Sequence, residues 1–482
     1  MSGSQKSQNT NLDAALFALS LDPGAGGLAA QLTHRLRELI LQGLARPGQR
    51  LPASRVLAQE LSVSRTTVLA AYDQLTSEGY LDARQGADTR VAANLPDIDH
   101  HAASPAPAAL SPPAVQAILP FQPGAPDPAL LPPRLWARAL HDAWACPDPG
   151  LTGRVDPQGW WPLRSAIARH LGAWRGLDCD PDQVFVTSGT VESLEIVARA
   201  LLRPGERVLV EDPGFAPIRA TLTMHGLRVD PVAVDDQGFD TAVLEHRQAR
   251  AVVIAASRQY PLGMTLPLSR RLHLLDWARD TGGWLIEDDY DSEFRYVGAP
   301  TPALAGMDGA GRTIYLGSFS KVFSTALRLS YLVAPPALCD GLNRAIGKLG
   351  MRASLVPQPA LAQLIDSGVF ATHLRRMRRH YARRQAALVT AADTHLAGLL
   401  TVASQPSGMH LVASLSDALA AGGDDRQWAA RAAAAGLGPR AVSSYFAGPA
   451  PVQGLVLGYS AHDEATLDAA ARRLAEVLRL RP

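Results

Sequence analysis

One lysine, Lys321, has the residue type and the position that most clearly predict covalent chemistry in this sequence. The chain holds 46 lysines and arginines together, of which only Lys6, Lys321 and Lys348 are lysines. Arginine keeps its proton in proteins, so a position that needs an amine able to lose its proton must be lysine. A neutral lysine amine can form a Schiff base with a carbonyl group. We therefore predict that Lys321 serves a carbonyl-bearing ligand.

Groups suited to a flat, phosphorylated ring follow other predicted strands. Ser188, Gly189 and Thr190 stand between a strand and the start of a helix. At the N-terminus of a helix, the free backbone N–H groups and the helix dipole favour the binding of a phosphate. After another apolar strand, Asp288 or Asp289 would keep a ring nitrogen protonated. The two acids are equally suited on sequence grounds.

Further side chains complete the predicted ring site. Tyr290 is close enough in sequence to donate to a ring oxygen, and Phe215 would stack on a ring face. Ser318, Ser320 and Arg328 lie around Lys321 and would add phosphate donors. Each residue alone has an ordinary structural explanation, but their order and their positions at strand ends together favour a cofactor site.

The elements that must position these residues alternate between short β-rich runs and helical patterns. The predicted strands are 184–187, 207–210, 251–254 and two that end at Ile286 and Leu316. Helices are predicted near 191–202 and over 269–281. This alternation predicts an α/β domain with a mostly parallel sheet. Functional residues of such sheets lie at the C-terminal ends of the strands.

A smaller module precedes this domain. Apolar spacing predicts helices over 28–44 and 54–61 and a third that starts after Ser64 as its N-cap. Two helices joined by a short turn form a helix-turn-helix, whose second helix presents its first turn to DNA bases. That turn carries Arg65, Thr66 and Thr67. Residues 80–81 and 89–91 would pair as a β-wing. A three-helix packing module without a ligand fits the periodicity equally well.

Charge and composition limit the function classes. Residues 28–93 contain eight arginines and six acids, a net charge of +2, so one module alone should bind DNA weakly and a dimer is expected. The 482 residues lack a long apolar run or an apolar leader, so we predict no membrane span, and the three widely spaced cysteines favour a reducing cytoplasm. Cys146, Cys179 and Cys339 are widely spaced, which predicts neither disulfides nor a metal site.

These patterns predict three segments. Residues 12–93 form a winged helix-turn-helix DNA-binding domain, and residues 94–119 form an Ala/Pro-rich linker. Residues 120–482 form a large effector domain. The linker is long and stiffened by proline, so it would let the small module reach a different subunit.

The small module resembles the winged-helix domain of the GntR family of bacterial regulators. The resemblance lies in the runs Pro47 to Arg55 and Leu61 to Val68, with Glu78 to Leu81 after them. It implies that Arg55 and Arg65 are the main DNA contacts, that Thr66 and Thr67 add to them, and that Gly86 forms the tip of the wing.

The large domain resembles the fold-type-I, pyridoxal-phosphate-dependent aminotransferases, and in particular the aminotransferase-like domain of MocR-type regulators. The most specific run is Glu287 to Tyr296, and the run Tyr315 to Lys321 also matches. The resemblance implies that Lys321 is the Schiff-base lysine, Asp288 the pyridine-nitrogen partner and Tyr290 the partner of the phenolic oxygen. The resemblance also implies that six further residues hold the phosphate: Ser188, Gly189, Thr190, Ser318, Ser320 and Arg328.

Three positions depart from the family pattern. Val456 stands where an arginine usually clamps an amino-acid carboxylate, Arg258 replaces a usual histidine, and Arg154 replaces a usual tyrosine. Valine cannot pair with a carboxylate. The two new arginines would either restore a carboxylate site or bind phosphate.

The sequence thus predicts a pyridoxal-phosphate-binding transcriptional regulator that acts on double-stranded promoter DNA as a head-to-tail homodimer. Its effector would be the cofactor, an amine, or both, and regulation of pyridoxal phosphate synthesis genes is favoured. We assign no catalytic residues and predict that the chain is not an enzyme. One alternative is an aminotransferase with an accessory N-terminal domain. The other is a DNA-binding protein whose large domain only dimerises.

Overall fold

The computed structural model describes residues 16, 19–22, 24, 26–82, 88–95, 117–153, 156–350 and 353–479. The chain divides into two compact units, Met1–Ala114 and Val115–Pro482. Among the helices of these described ranges, none is both long enough and apolar enough to cross a bilayer.

Over residues 26–82 and 88–95, which the structure describes, the N-terminal unit has three helices and a short two-stranded ribbon. Its helices are α1 (Leu28–Leu41), α2 (Ser54–Glu60) and α3 (Arg65–Ser77), followed by β1 (Leu81–Asp82) and β2 (Arg90–Val91). The strands pair antiparallel, with Leu81 opposite Val91. The predicted first helix ends three residues early, because Gly43 adopts a positive φ of 72° that breaks it.

A mixed sheet of eight strands forms the centre of the larger unit. In chain order these strands are β3 (Val184–Thr187), β4 (Arg207–Asp212), β5 (Arg228–Asp235), β6 (Gly238–Phe239), β7 (Ala251–Ile254), β8 (Trp284–Asp289), β9 (Thr313–Ser318) and β10 (Ser330–Val333). Their order in the sheet is β3-β10-β9-β8-β7-β4-β5-β6. The five strands from β9 to β5 are parallel, and β10 and β6 run antiparallel to their neighbours. The predicted α/β class with a mostly parallel sheet is confirmed.

The two faces of this sheet are covered by different helices. In chain order, the helices of the large unit up to residue 395 are α4 (Pro133–Ala145), α5 (Pro149–Thr152), α6 (Trp161–Arg175), α7 (Thr190–Leu201), α8 (Ala216–Met224), α9 (Leu268–Thr281), α10 (Pro336–Leu349), α11 (Gln358–Asp366) and α12 (Val369–His395). Val208 and Val210 pack with α7 and α10 on one face. Leu209 and Leu285 pack with Leu274 of α9 on the other face. The alternation of apolar side chains along each strand therefore fills both layers.

A second, four-stranded antiparallel sheet lies toward the C-terminus. Its elements are β11 (Leu400–Val402), β12 (His410–Leu415), β13 (Arg440–Ala441) and β14 (Gly454–Gly458), with α13 (Asp417–Gly422), α14 (Asp425–Ala434) and α15 (Glu464–Arg479). The strand order is β11-β12-β14-β13. Leu467 and Leu474 of α15 belong to the apolar cluster that packs this sheet.

The strands that carry the predicted site run further than expected. β8 continues through Asp288 and Asp289, and β9 continues through Ser318. The acids and the serine are therefore terminal strand residues and do not lie in the following loops. Parallel pairing of β8 with β9 places Asp288 beside Leu316. The acids that end β8 and the serine that ends β9 therefore lie at the same edge of the sheet.

Candidate functional site

A cavity of about 500 Å³ opens at this edge of the large sheet. Its size falls within the roughly 300–1,000 Å³ typical of small-molecule sites. Nine of the predicted cofactor residues line it: Gly189, Thr190, Phe215, Asp288, Tyr290, Ser318, Ser320, Lys321 and Arg328. Ser188 does not line the cavity, and its backbone N–H instead donates to the carboxylate of Glu192.

Lys321 follows β9 and holds its amine inside the cavity. Its Nζ donates to the carbonyl oxygen of Gly124 at 2.7 Å. Burial lowers the pKa of the amine, and the nearby Asp291 and Asp288 only partly offset this effect. A β-carbon at Gly124 would lie 2.8 Å from Nζ, so a larger residue there would displace the amine from this position. The arrangement favours the neutral, nucleophilic form of the amine.

Asp288 and Asp289 have opposite environments although they are neighbours in β8. Asp289 pairs with Arg175 at 2.9 Å and accepts from the Tyr315 hydroxyl at 2.6 Å. Asp288 is buried, and its Oδ1 has no hydrogen-bond partner among the described residues. Burial, followed by repulsion from Asp289 and Asp291, raises the pKa of Asp288 to about 7. Of the two acids, only Asp288 lines the cavity with a free oxygen.

The end of the cavity where the sequence predicts phosphate binding combines a helix start with a guanidinium group. Gly189 and Thr190 begin α7, where the first backbone N–H groups have no partner within the helix. A β-carbon on Gly189 would lie 3.5 Å from an Nη of Arg328. Ser318 accepts hydrogen bonds from the backbone N–H of Ser320 at 3.2 Å and from the Ser330 hydroxyl at 3.0 Å. The groups are therefore concentrated in the manner of an anion site.

An aromatic wall, centred on Tyr260, forms another side of the cavity. The rings of Phe215, Tyr290, His410 and Tyr445 meet the Tyr260 ring edge to face, at centroid distances of 5.1 to 5.9 Å. Burial keeps the pKa of Tyr290 well above its ordinary value, so its hydroxyl retains a proton to donate. Sequence reasoning found Phe215 and Tyr290 but missed Tyr260, His410 and Tyr445.

The arginine that replaces a family histidine is not available to a ligand. Arg258 is buried, and its Nη1 forms an ion pair with Asp291 at 3.2 Å. The same nitrogen donates to the Tyr290 hydroxyl at 2.9 Å, and Nη2 donates to the carbonyl of His410 at 3.0 Å. The expectation that Arg258 restores a carboxylate clamp or binds phosphate therefore fails, because its charge is already neutralised. Arg154 lies outside the described residues.

Val456 is buried in β14 and does not line the cavity. Arg440, in the adjacent strand β13, does line it. Sequence reasoning missed Arg440, because its relation to the cavity depends on the pairing of β13 with β14, 16 positions further along the chain. No local motif in the sequence marks this pairing.

A second candidate site is the exposed start of α3 in the N-terminal unit. Ser64 caps the helix by accepting from the Thr67 backbone N–H at 3.1 Å. Arg55, Arg65 and Thr66 are exposed, whereas Thr67 is half-buried. Arg65 donates to the Ser54 hydroxyl at 3.3 Å, which links the two helices of the turn.

The predicted wing is a paired ribbon whose tip, with Gly86, lies outside the described residues. At its base, Asp88 forms an ion pair with Arg50 at 2.7 Å. An acid that would repel phosphate is thus paired with a neighbouring arginine.

Comparison with known proteins covers both units. The sequence profile "Bacterial regulatory proteins, gntR family" matches residues 28–91, and the profile "Aminotransferase class I and II" matches residues 124–474. The chain is 38% identical to a "Probable rhizopine catabolism regulatory protein MocR" of Rhizobium meliloti, over 91% of both chains. It is 35% identical to the "HTH-type pyridoxine biosynthesis transcriptional regulator PdxR" of Corynebacterium glutamicum, over 91% of this chain and 93% of that one.

Solved structures match the large unit. LysN, an alpha-aminoadipate aminotransferase from Thermus thermophilus complexed with N-(5'-phosphopyridoxyl)-L-leucine, aligns with a TM-score of 0.68 and 27% identity. The alignment covers 75% of this chain and 92% of LysN. The kynurenine aminotransferase of Pyrococcus horikoshii aligns with the same TM-score of 0.68 at 23% identity, over 76% of this chain and 93% of that enzyme; this second match bears on the fold alone.

Proposed function

The chain belongs to the GntR-family transcriptional regulators of the MocR type, and from this we propose that pyridoxal phosphate, alone or with a small amine, controls its binding to promoter DNA. One observation carries the proposal: a half-buried lysine amine, an unpartnered carboxylate oxygen and a guanidinium beside a helix start line a single cavity. A lysine amine and an acidic partner for the ring nitrogen are the groups that proteins use to hold this cofactor.

The residues present fit pyridoxal phosphate. Asp288 offers a buried oxygen that lacks a donor, which suits a protonated ring nitrogen. Tyr290 is positioned by Arg258 to donate to a ring oxygen, and Phe215 borders the space for the ring. Arg328 and the first amides of α7 would hold the phosphate. When bound, the cofactor supplies an aldehyde that condenses with primary amines.

The protein's own contribution is to prepare these groups before a ligand arrives. Burial of Lys321 favours the neutral amine, and Gly124 leaves space for it and orients it by one hydrogen bond. The aromatic wall around Tyr260 excludes water from one side of the cavity. A ligand that binds two conformations of the protein with different affinities shifts the equilibrium between them. Ligand binding in the cavity can alter DNA binding in this way.

DNA recognition is assigned to α3 and its neighbours. We propose that Arg65 and Arg55 make the main contacts and that Thr66 and Thr67 add to them, with Gly86 at the tip of the wing. The exposure of Arg55 and Arg65 supports this assignment. A head-to-tail homodimer would present two such helices to two half-sites, and sedimentation of the full chain tests this assembly.

The name of one relative supports a target class. The PdxR protein of Corynebacterium glutamicum is a pyridoxine biosynthesis regulator at 35% identity. We propose that genes for pyridoxal phosphate synthesis are among the targets of this chain.

The decisive experiment combines absorption with DNA binding at one fixed salt concentration, since affinity for DNA depends on salt. Full-length protein and its variants Lys321→Ala and Lys348→Ala are mixed with pyridoxal phosphate. Binding to the upstream region of the gene is then followed by fluorescence anisotropy, with and without an amine panel. We expect an absorption band and a change in DNA affinity for the unaltered chain and for Lys348→Ala. Lys321→Ala should show neither, and an unchanged band in that variant would refute the proposal.

The aminotransferase-like domain is proposed to sense and not to catalyse. The observation in favour is the pairing of Arg258 with Asp291 together with the burial of Val456, which leave both positions without a free cation for a substrate carboxylate. Measured transfer of amino groups to 2-oxo acids should therefore fall far below the roughly 1–10³ s⁻¹ typical of enzymes. Turnover within that range would make the chain an aminotransferase.

A further inference from the structure

We propose that the hydrogen bond from Lys321 to the Gly124 carbonyl is a latch, a bond that joins the two sheets of the large unit across the cavity and that opens when Lys321 condenses with an aldehyde. This device rests on the proposed function, because it assumes that pyridoxal phosphate reacts with Lys321. It deepens that function by naming the contact through which the reaction would reach the rest of the chain.

The segment 120–127, which we call the strap, is fastened to the smaller sheet at its first residues. Phe121 forms an antiparallel bridge with Gly458 of β14, and its carbonyl accepts from the Gly458 N–H at 2.9 Å. The carbonyl of Pro120 accepts from the Gly438 N–H at 2.7 Å. The strap lies so close to β14 that a β-carbon on Gly458 would collide with its backbone.

A second group of contacts fastens the strap beyond the cavity. Asp127 accepts from the guanidinium of Arg384 in α12 at 2.6 Å, and both residues are buried. The Ser460 hydroxyl, just after β14, donates to the carbonyl of Ala125 at 2.6 Å. Between these two groups of contacts, the strap lines the cavity with Gly124.

The latch reaches the strap from the large sheet. Lys321 follows β9, which ends at Ser318, and its Nζ donates to the Gly124 carbonyl at 2.7 Å. One end of this bond therefore belongs to the large sheet, whereas the other belongs to a segment that is fastened to the smaller sheet. Loss of the bond would remove a restraint on how the two sheets sit against each other.

The strap also contains a backbone conformation that its surroundings must impose. Phe121 has a φ of 68°, in the left-handed region that residues other than glycine rarely adopt. Its side chain is fully buried. Such conformations persist only where neighbouring contacts hold them, and they are common in ligand clamps and switch regions. The strap is therefore a segment whose conformation depends on its contacts.

Condensation removes the donor of the latch. A primary amine that condenses with an aldehyde gives its two hydrogens to the aldehyde oxygen, which leaves as water, and a C=N bond replaces the C=O bond. A proton that later returns to the planar nitrogen bonds to the neighbouring phenolic oxygen of pyridoxal phosphate. The Gly124 carbonyl then has no lysine donor. The reaction thus costs the latched conformation a hydrogen bond and favours the open one.

The strap is also the part of the cavity wall that continues directly into the predicted linker, residues 94–119. A shift of the strap would therefore change the point from which the linker leaves the large unit. Through this covalent connection, opening of the latch would alter how the N-terminal unit is presented to DNA.

The test separates the hydrogen-bond donor from the reactive amine by two substitutions of one residue. Lys321→Ala removes both. Lys321→Arg keeps a cationic donor but cannot condense with an aldehyde, because arginine does not lose its proton. Lys348→Ala, at an exposed lysine of α10, is the control. Binding of the full-length chains to the upstream region of the gene is measured by fluorescence anisotropy at one salt concentration, with and without pyridoxal phosphate.

Hydrogen exchange in the cofactor-free chains supplies a second readout. The amides of Gly438 and Gly458 donate to the strap, so their exchange reports how often the strap separates from the smaller sheet. The amides of β7, in the centre of the large sheet, should exchange equally in all chains and so show that each variant is folded.

Without cofactor, Lys321→Ala should bind DNA with the affinity that the unaltered chain has when loaded with pyridoxal phosphate, because both lack the latch. Lys321→Arg should be fixed at the affinity of the cofactor-free unaltered chain, and Lys348→Ala should respond to the cofactor normally. The loss of one hydrogen bond shifts an opening equilibrium by roughly two- to tenfold. The Gly438 and Gly458 amides should exchange faster by that factor in Lys321→Ala than in Lys321→Arg.

Two results would overturn the latch. The first is a cofactor-free Lys321→Ala that binds DNA like the cofactor-free unaltered chain. The second is equal DNA affinity, or equal exchange of the strap-bonded amides, in Lys321→Ala and Lys321→Arg. Failure of the proposed function is a different outcome, because the unaltered chain itself would then show no absorption band or no change in DNA affinity when pyridoxal phosphate is added.

Discussion

Replacing Asp288 by Asn is expected to stabilise the cofactor-free protein at pH 8, although the residue is proposed to bind the cofactor. The Asp288 carboxyl is buried and its Oδ1 has no partner among the described residues. Burial and the neighbouring acids raise its pKa from 3.8 to about 7. Between these two values the folded state binds more protons than the unfolded state. Stability must therefore fall as pH rises from about 4 to about 7.

The size of the effect follows from this shift. Each pKa unit corresponds to about 1.36 kcal/mol, so a shift of about three units costs on the order of 4 kcal/mol once the folded carboxyl is ionised. Asn carries no charge, so its contribution to the unfolding free energy does not depend on pH. The difference in unfolding free energy between Asp288→Asn and the unaltered chain should therefore widen by roughly 2–3 kcal/mol from pH 5 to pH 8.

Urea unfolding followed by tryptophan fluorescence measures this difference in the large unit alone. All eight tryptophans lie between Trp136 and Trp428, and none lies in the N-terminal unit. Asp289→Asn is the matched control, because Asp289 is ion-paired with Arg175. Breaking such a buried pair should destabilise the unit by about 3–5 kcal/mol at pH 8.

Addition of pyridoxal phosphate should reverse the order of stability, because the cofactor then binds the unaltered chain more tightly than Asp288→Asn and stabilises it by mass action. If cofactor-free Asp288→Asn unfolds at lower urea than the unaltered chain at pH 8, the carboxylate has a favourable partner and the reasoning is wrong.

Three further predictions concern single residues. Ser64→Ala should lower the stability of the N-terminal unit by about 1 kcal/mol through loss of the helix cap, as measured by thermal unfolding; an unchanged midpoint would contradict this. Arg65→Ala should weaken operator binding by about 1–3 kcal/mol and weaken binding to unrelated DNA less; an equal loss on both DNAs, measured by anisotropy, would show that Arg65 reads no base. The rate at which pyridoxal phosphate reacts with the cofactor-free chain should rise with pH, with a midpoint below that of an ordinary lysine amine, because burial lowers the pKa of Lys321; stopped-flow absorption checks this, and a midpoint at or above the ordinary value would contradict it.

The local parts of the fold were predictable because they depend on short-range rules. Ser64 marked the start of α3 through its capping oxygen, and the run 251–254 marked a strand through its β-branched residues. The ends of β8 and β9 were predicted too early, since polar residues such as Asp288 and Ser318 usually end a strand. Here Asp288 stays in the ladder through its parallel pairing with Leu316 of β9, and Ser318 stays in it through its antiparallel pairing with Ser330 of β10.

The candidate site was also predictable only in part. Residue type alone made Lys321 a candidate, since an amine that can lose its proton has no substitute, and the order of polar groups at strand ends predicted a shared site. The position of the two acids after a strand could not separate Asp288 from Asp289, because neighbours in a strand differ only in the face toward which they point; only the family resemblance favoured Asp288. Arg175, which reaches Asp289 from α6, decides that Asp288 is the one left without a partner.

The sequence by itself therefore determined the classes of element, the lysine that is proposed to react and the helix that is proposed to face DNA. Only the tertiary structure decided which charges remain free. Asp291 neutralises Arg258, and the register of β13 on β14 brings Arg440 to the cavity. Pairing between charges that are distant in sequence depends on how sheets and helices pack in space, and no periodicity along the chain encodes that packing.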